Sequence, residues 1–126
     1  MFLETSVITI DVAPCSKPRM TKRDRWAKRP SVLKFFAFRD AIRQFQETHA
    51  IAWWSFDIEF YVPMPKSWSK KKKALHNNQP HNQRPDLDNY IKAWCDSVFE
   101  EDSVVWRFKA SKRWTDQKGH IKLSTL

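Results

Sequence analysis

The sequence predicts a mixed α/β (α+β) domain in which about four strands are interleaved with two main helices. Three observations carry that prediction. β-Branched or aromatic runs recur at four places, and apolar residues recur at helical spacing at two others. Proline-rich or polar stretches separate these segments. At 126 residues, with 41 % hydrophobic residues, seven Trp and nine Phe, the chain is long enough to bury a core and too apolar to stay disordered. It reads as one domain over residues 1–126.

Residues 6–12 alternate Val7, Thr9 and Asp11 against Ile8, Ile10 and Val12, which predicts a first strand. Residues 13–30 hold three prolines and many cations and read as a loop, long enough to suggest a function. Ser31 is placed to cap a helix reaching Thr48, with Val32, Phe35, Phe38, Ile42 and Phe45 as its buried stripe. Residues 53–62 form a second strand, ended by Pro63 and Pro65, with Phe56, Ile58, Phe60 and Val62 on one side. Ser67 or Ser69 can start a short basic helix, and 76–85 is a polar loop. A helix begins near Asp86 or Asp88 and ends by Glu100, its core face built from Leu87, Ile91, Cys95 or Trp94, and Val98. Strands over 103–114 and 120–125 follow, joined by a turn through Gly119.

Charge narrows the function. The net charge is +9, with eight Lys or Arg between Lys17 and Lys34 against the single acid Asp24, and five more between Lys66 and Lys73. That distribution points to a polyanionic partner, nucleic acid before a membrane surface. Gly119 is the only glycine, which excludes glycine-rich phosphate loops, so phosphate must be held by side chains or a metal. No apolar run approaches the roughly 20 residues of a membrane span, and no basic leader precedes the apolar N-terminus. Cys15 and Cys95 are read as reduced structural thiols of an intracellular chain.

Against this basic background, six of the 14 acids fall between Asp86 and Asp102. Asp86 and Asp88 lie at the mouth of the predicted helix, and Asp88, Lys92 and Asp96 share a face at four-residue spacing. A purely structural reading makes one aspartate an N-cap and the triplet a surface ion-pair ladder. A cap, however, needs one carboxylate. Two at about 5 Å repel by roughly 3 kcal/mol at an effective dielectric near 20, which inside a cleft calls for a cation. Glu101 and Asp102 bring further carboxylates where the chain returns. Hard oxygen donors suit Mg²⁺ or Mn²⁺. Such an ion in a basic protein suggests phosphodiester hydrolysis, with Lys92 steadying the phosphate. An EF-hand starting at Asp86 would need Gly and Glu where Ile91 and Ser97 stand, and His76, His81 and Cys95 match no usual zinc spacing.

The chain resembles the RusA family of Holliday junction resolvases, small endodeoxyribonucleases common in phages and prophages. The resemblance rests on PCSKPRMTKRDRW, PMPKSWSKKKK, the signature RPDLDNYIKAWCDSV and EEDSVV, in that order from Val7 to Ile121. It implies catalytic, metal-holding acids at Asp86, Asp88 and Asp102 and a functional lysine at Lys92, with Asn89 and Asp96 also matching the pattern. It implies a central mixed sheet flanked by helices, and a homodimer whose two Mg²⁺-dependent sites nick a four-way junction symmetrically. No small-molecule cofactor and no membrane partner are implied. The resemblance also implies a setting in the cytoplasm of a bacterial host or phage-infected cell. Glu101 stands where many members carry an aspartate, and the glycine often found between Val98 and Asp102 is missing.

Lys17, Arg19, Lys22, Arg23, Arg25, Lys70, Lys71, Lys72, Lys73 and Arg84 are then the expected contacts to DNA phosphates. Trp26 and Trp68 are candidates either for base stacking or for local packing. Two alternatives remain at this stage: a junction or single-strand binder that does not cut, and a nuclease for other branched DNA such as forks or flaps. The acid trio argues against the first, and substrate comparison separates the second.

Overall fold

A computed structural model describes residues 7–19 and 29–126. In chain order it contains β1 (Val7–Ile10), α1 (Pro30–Gln46), β2 (Ser55–Pro63), α2 (Lys70–His76), α3 (Leu87–Val98), a 3₁₀ turn (Asp102–Val104), β3 (Arg107–Thr115) and β4 (His120–Thr125). The α+β class expected from the sequence is observed, as a four-stranded mixed sheet and three helices. Contacts divide the chain into two compact units. A sheet unit contains β1, Trp53–Arg84 and Ser103–Leu126, and a helical unit lies within Cys15–Ala52 and Pro85–Asp102.

In the sheet unit the strand order is β1-β4-β2-β3. β4 pairs antiparallel with both β1 and β2, while β3 runs parallel to β2. The register aligns Ile10 with Ile121 and Ile121 with Phe60, and Leu123 with Ile8 and Ile58. Alternation therefore gathers Ile10, Phe56, Ile58, Phe60, Ile121 and Leu123 into one buried apolar face. Parallel strands need a long crossover, and the β2–β3 connection is where the chain carries α2 and α3. The third strand starts later than its apolar pattern suggests. Residues 102–104 coil into the 3₁₀ turn, so Asp102 is not at a strand end.

α2 forms as expected from Ser69, whose hydroxyl accepts from the Lys72 amide at 3.1 Å. Trp68 packs locally. Its ring meets Trp114 at 4.9 Å and His76 at 5.0 Å, with Lys72 lying 4.2 Å over its face. The far half of β3 is covered by residues 78–81: Trp114 exchanges backbone bonds with Asn78 and Gln79, and the His81 amide donates to Lys112.

In the helical unit, α1 starts one residue before Ser31. Pro30 occupies the first turn and Arg29 the N-cap position, without a side-chain cap. Proline lacks the N–H that a cap would satisfy and has a helix-ready φ, so it sets the start here. The predicted stripe holds: Val32, Phe35, Phe38 and Ile42 are buried, and Phe45 is half-buried. α3 has the expected length, but its buried face is turned. Tyr90, Ala93, Trp94 and Ser97 are buried with Cys95, whereas Leu87, Ile91 and Val98 are only half-buried. The i, i+3, i+4, i+7 set from Tyr90 carries the largest ring, and burying Trp94 outweighs burying the aliphatic edge. Ser97 fits this face because its hydroxyl donates to the Ala93 carbonyl at 2.7 Å.

α1 also closes the end of α3. Arg43 Nε donates to the Ser97 carbonyl at 3.3 Å, and Gln46 Nε2 donates to the Val98 carbonyl at 3.4 Å. The last carbonyls of a helix have no partner within it, and a cation there also complements its dipole. Both cysteines are free and buried. No helix among the described residues is long and apolar enough to cross a membrane.

Candidate active site at the mouth of α3

Asp86 is the N-cap residue of α3, extended at φ −66° and ψ 148°, and its carbonyl accepts from the Asn89 amide at 3.1 Å. Its side chain makes no capping bond. Asp88 follows in the first turn, and both are exposed. The cap position is thus filled, but the carboxylate that could serve it is left for something else. Lys92, one turn beyond Asp88, is also exposed.

The surface ladder foreseen along this face does not form. Among the described residues Lys92 makes no ion pair, and Asp96 instead meets Lys17, Nζ to Oδ2 at 3.2 Å. Lys17 continues into two further contacts. Its ammonium lies 4.0 Å from the centre of the Phe35 ring, and its backbone amide donates to the Asn89 carbonyl at 3.1 Å.

Asp102 is exposed in the 3₁₀ turn. It lies near enough to Cys95 for its charge to act on the thiol. Burial chiefly, then Asp102 and Asp96, push the Cys95 pKa up to about 11. Cys95 stands nine residues after Asp86, about two and a half helical turns along α3. Burial likewise raises Tyr90 to about 12, with a smaller contribution from Cys15. These groups stay neutral and belong to the packing on the buried face of α3.

Among the described residues, no three His, Cys, Asp or Glu side chains form a group able to hold a metal. The donor chemistry at the mouth nevertheless fits a hard divalent cation. Mg²⁺ is commonly held by one or two carboxylates with substrate phosphate oxygens and water. Asp86 and Asp88 stand on one helix mouth, spent neither on a cap nor on an ion pair among the described residues.

The basic residues divide between the two units. Lys17 and Arg19 belong to the helical unit with the acids; Lys70, Lys71, Lys72, Lys73 and Arg84 belong to the sheet unit. Arg19 is exposed, and its carbonyl accepts from the Arg29 guanidinium. Lys70, Lys71, Lys72 and Arg84 are exposed and Lys73 is half-buried. Lys22, Arg23, Arg25 and Trp26 lie outside the described residues. Sequence reasoning missed the Lys17–Asp96 pair. The partners are 79 positions apart, and each already had a local explanation.

An α+β chain with exposed carboxylates at a helix mouth and a net charge of +9 has the components of a protein that handles phosphodiesters. The chain belongs to the RusA family of endodeoxyribonucleases, whose family profile, described as endodeoxyribonuclease RusA, matches residues 12–124. The chain is also 37 % identical over 71 residues to an uncharacterized protein, YqaN, of Bacillus subtilis (strain 168). That match covers 50 % of this chain and 50 % of the relative.

Proposed function

We propose that this chain is a divalent-metal-dependent endodeoxyribonuclease that resolves four-way DNA junctions by paired nicks, acting as a homodimer in the cytoplasm. The observation that carries the proposal is the exposed Asp86–Asp88 pair at the mouth of α3, with no ion pair among the described residues and no capping bond from Asp86, one turn ahead of Lys92. Asp86 and Asp88 would hold Mg²⁺, with Mn²⁺ as a substitute, and Asp102, which is not grouped with them in this structure, would join them as the third ligand when the ion binds. When bound, the cation would neutralise charge on the scissile phosphate and lower the pKa of an attacking water. Lys92 would hold a phosphate oxygen and stabilise the charge that develops there. The positive end of the α3 dipole favours the same anion. Arg19, Arg84 and the α2 lysines would grip DNA backbone without reading sequence.

Two opposed nicks require two sites, which is the reason to propose a dimer. The surface that best fits a second copy is one end of the sheet. There Trp54, Trp106, Phe108 and Leu126 are 59, 69, 48 and 43 % exposed. The Trp106 amide donates to the Trp54 carbonyl at 3.1 Å, and Arg107 reaches Ser55 Oγ at 2.9 Å and the Leu126 carbonyl at 2.8 Å. Exposed tryptophans beside arginine are typical of interface centres. With about 150–250 Å² per aromatic side chain, the patch offers roughly 350 Å² per protomer. A polar rim would have to bring the total to the roughly 1,200 Å² of a stable interface.

The test is cleavage of a labelled four-way junction beside matched fork, flap and linear duplex, in Mg²⁺ or EDTA, with wild type and Lys92→Met. Paired Mg²⁺-dependent nicks on the junction, lost in Lys92→Met while junction binding persists, are expected. Tight binding with no cutting in Mg²⁺ or Mn²⁺ would overturn the enzyme, and preferential cutting of forks or flaps would overturn the substrate.

A further inference from the structure

Lys17 looks, by sequence, like one more cation in a phosphate-binding loop. Its surroundings give it a different task. Only 20 % of its side chain is exposed, against 27 % for Asp96, and the ammonium is shared between that carboxylate at 3.2 Å and the Phe35 ring at 4.0 Å. Its backbone amide is bonded to the Asn89 carbonyl at 3.1 Å. Asn89 and Asp96 are seven residues apart, two turns on one side of α3. Lys17 therefore grips α3 at two heights. Phe35 of α1 forms the floor beneath its ammonium. Its upper grip is on the residue that directly follows Asp88.

We infer that Lys17 and Asp96 form a positioning pair that fixes the mouth of α3 against the start of the basic loop, and that Lys17 does not contact DNA phosphate. The inference rests on the nuclease reading of that mouth. A lysine already matched by a half-buried carboxylate releases no counterion when DNA arrives, so it contributes nothing to the salt dependence of binding. Losing the pair leaves Lys17 held to α3 by its backbone amide alone. Asp86 and Asp88 then sample more orientations relative to Lys92 and the phosphate, which lowers the rate of the chemical step and spares affinity. Asp96, which shares a face with Asp88 and Lys92, is on this account the anchor for Lys17 and not a further metal donor.

The experiment uses wild type, Lys17→Met, Asp96→Asn, the double variant and Lys17→Arg, each first shown to melt cooperatively. Met keeps the stem over Phe35, Asn keeps the shape of Asp96, and Arg keeps the charge. Junction binding is followed by fluorescence anisotropy in EDTA across a salt series, and single-turnover cleavage is measured in Mg²⁺. Lys17→Met should keep the wild-type slope of log affinity against log salt. Lys17→Met and Asp96→Asn should each slow cleavage by about tenfold, with the double variant no slower than either and Lys17→Arg close to wild type. A slope reduced by about 0.9 in Lys17→Met makes Lys17 a phosphate contact and overturns the inference. So do cleavage losses that multiply to about a hundredfold in the double variant, or full activity in Asp96→Asn. If wild type itself does not cut, the nuclease reading fails, and the salt slope in EDTA still decides whether Lys17 touches phosphate.

Discussion

Asp88→Asn should separate the stability of α3 from its chemistry. The substitution removes one charge at nearly constant shape from an exposed first-turn position. A carboxylate there gains about 0.3–1 kcal/mol from the helix dipole. Against this stands repulsion from Asp86, which for two exposed carboxylates in water stays below about 1 kcal/mol. The two effects nearly cancel, so urea unfolding in EDTA should shift by no more than about 0.5 kcal/mol. Cleavage should fall by about a hundredfold or more, because a group that acts on the transition state is lost. Mg²⁺ should raise the melting temperature of wild type and do so less for the variant, since a ligand that binds only the folded state stabilises it by mass action. A loss above about 1.5 kcal/mol in EDTA would show that Asp88 is a structural residue, more than its dipole contribution allows. Cleavage within a few-fold of wild type would remove it from the metal site.

Arg43→Met should cost about 1 kcal/mol in urea unfolding, since it strips the hydrogen bond and the favourable charge from the Ser97 carbonyl end of α3; unchanged stability would show that the contact carries nothing. His81 is 3 % exposed, its Nδ1 has no hydrogen-bond partner among the described residues, and its ring lies 4.1 Å from Trp114. Burial first, and Lys112 second, hold its pKa below the ordinary 6.5. The unfolded chain therefore takes up this proton first as pH falls, so the His81 contribution is complete above 6.5 and is lost below it, by at most about 1.4 kcal/mol per pH unit. Unfolding midpoints at pH 7.5 and 5.5 should converge in His81→Phe relative to wild type, and parallel pH curves would refute this. Trp106→Ser should shift the sheet-end surface from dimer to monomer in light scattering at micromolar concentration, and an unchanged mass would place the dimer contact elsewhere.

Much of the architecture was legible because its causes are local. Proline positions, β-branched alternation and the Ser69 cap placed the strands and α2 to within a few residues, and the spacing of Val32, Phe35, Phe38 and Ile42 fixed the buried face of α1. The signature from Arg84 to Asp96 placed Asp86 and Asp88 at a helix mouth, because a polar, proline-ended loop followed by helical spacing allows little else. Local patterns fell short where an element's neighbours choose. Of the expected face Trp94 and Cys95 are buried, yet Leu87, Ile91 and Val98 are only half-buried, because α3 turns to bury Tyr90, Ala93 and Ser97 beside the large Trp94 ring.

Amino-acid identities alone therefore determined the α+β class, the basic character and the two acids at the mouth of α3, all of which follow from short-range spacing and charge. Tertiary structure alone decided what each charge is matched with. It gave Asp96 to Lys17 instead of Lys92, set Asp102 near Cys95, and left the Asp86 side chain without a capping bond. Ion pairing depends on distances of a few ångströms between residues far apart in the chain, and spacing along a sequence carries no information about those distances.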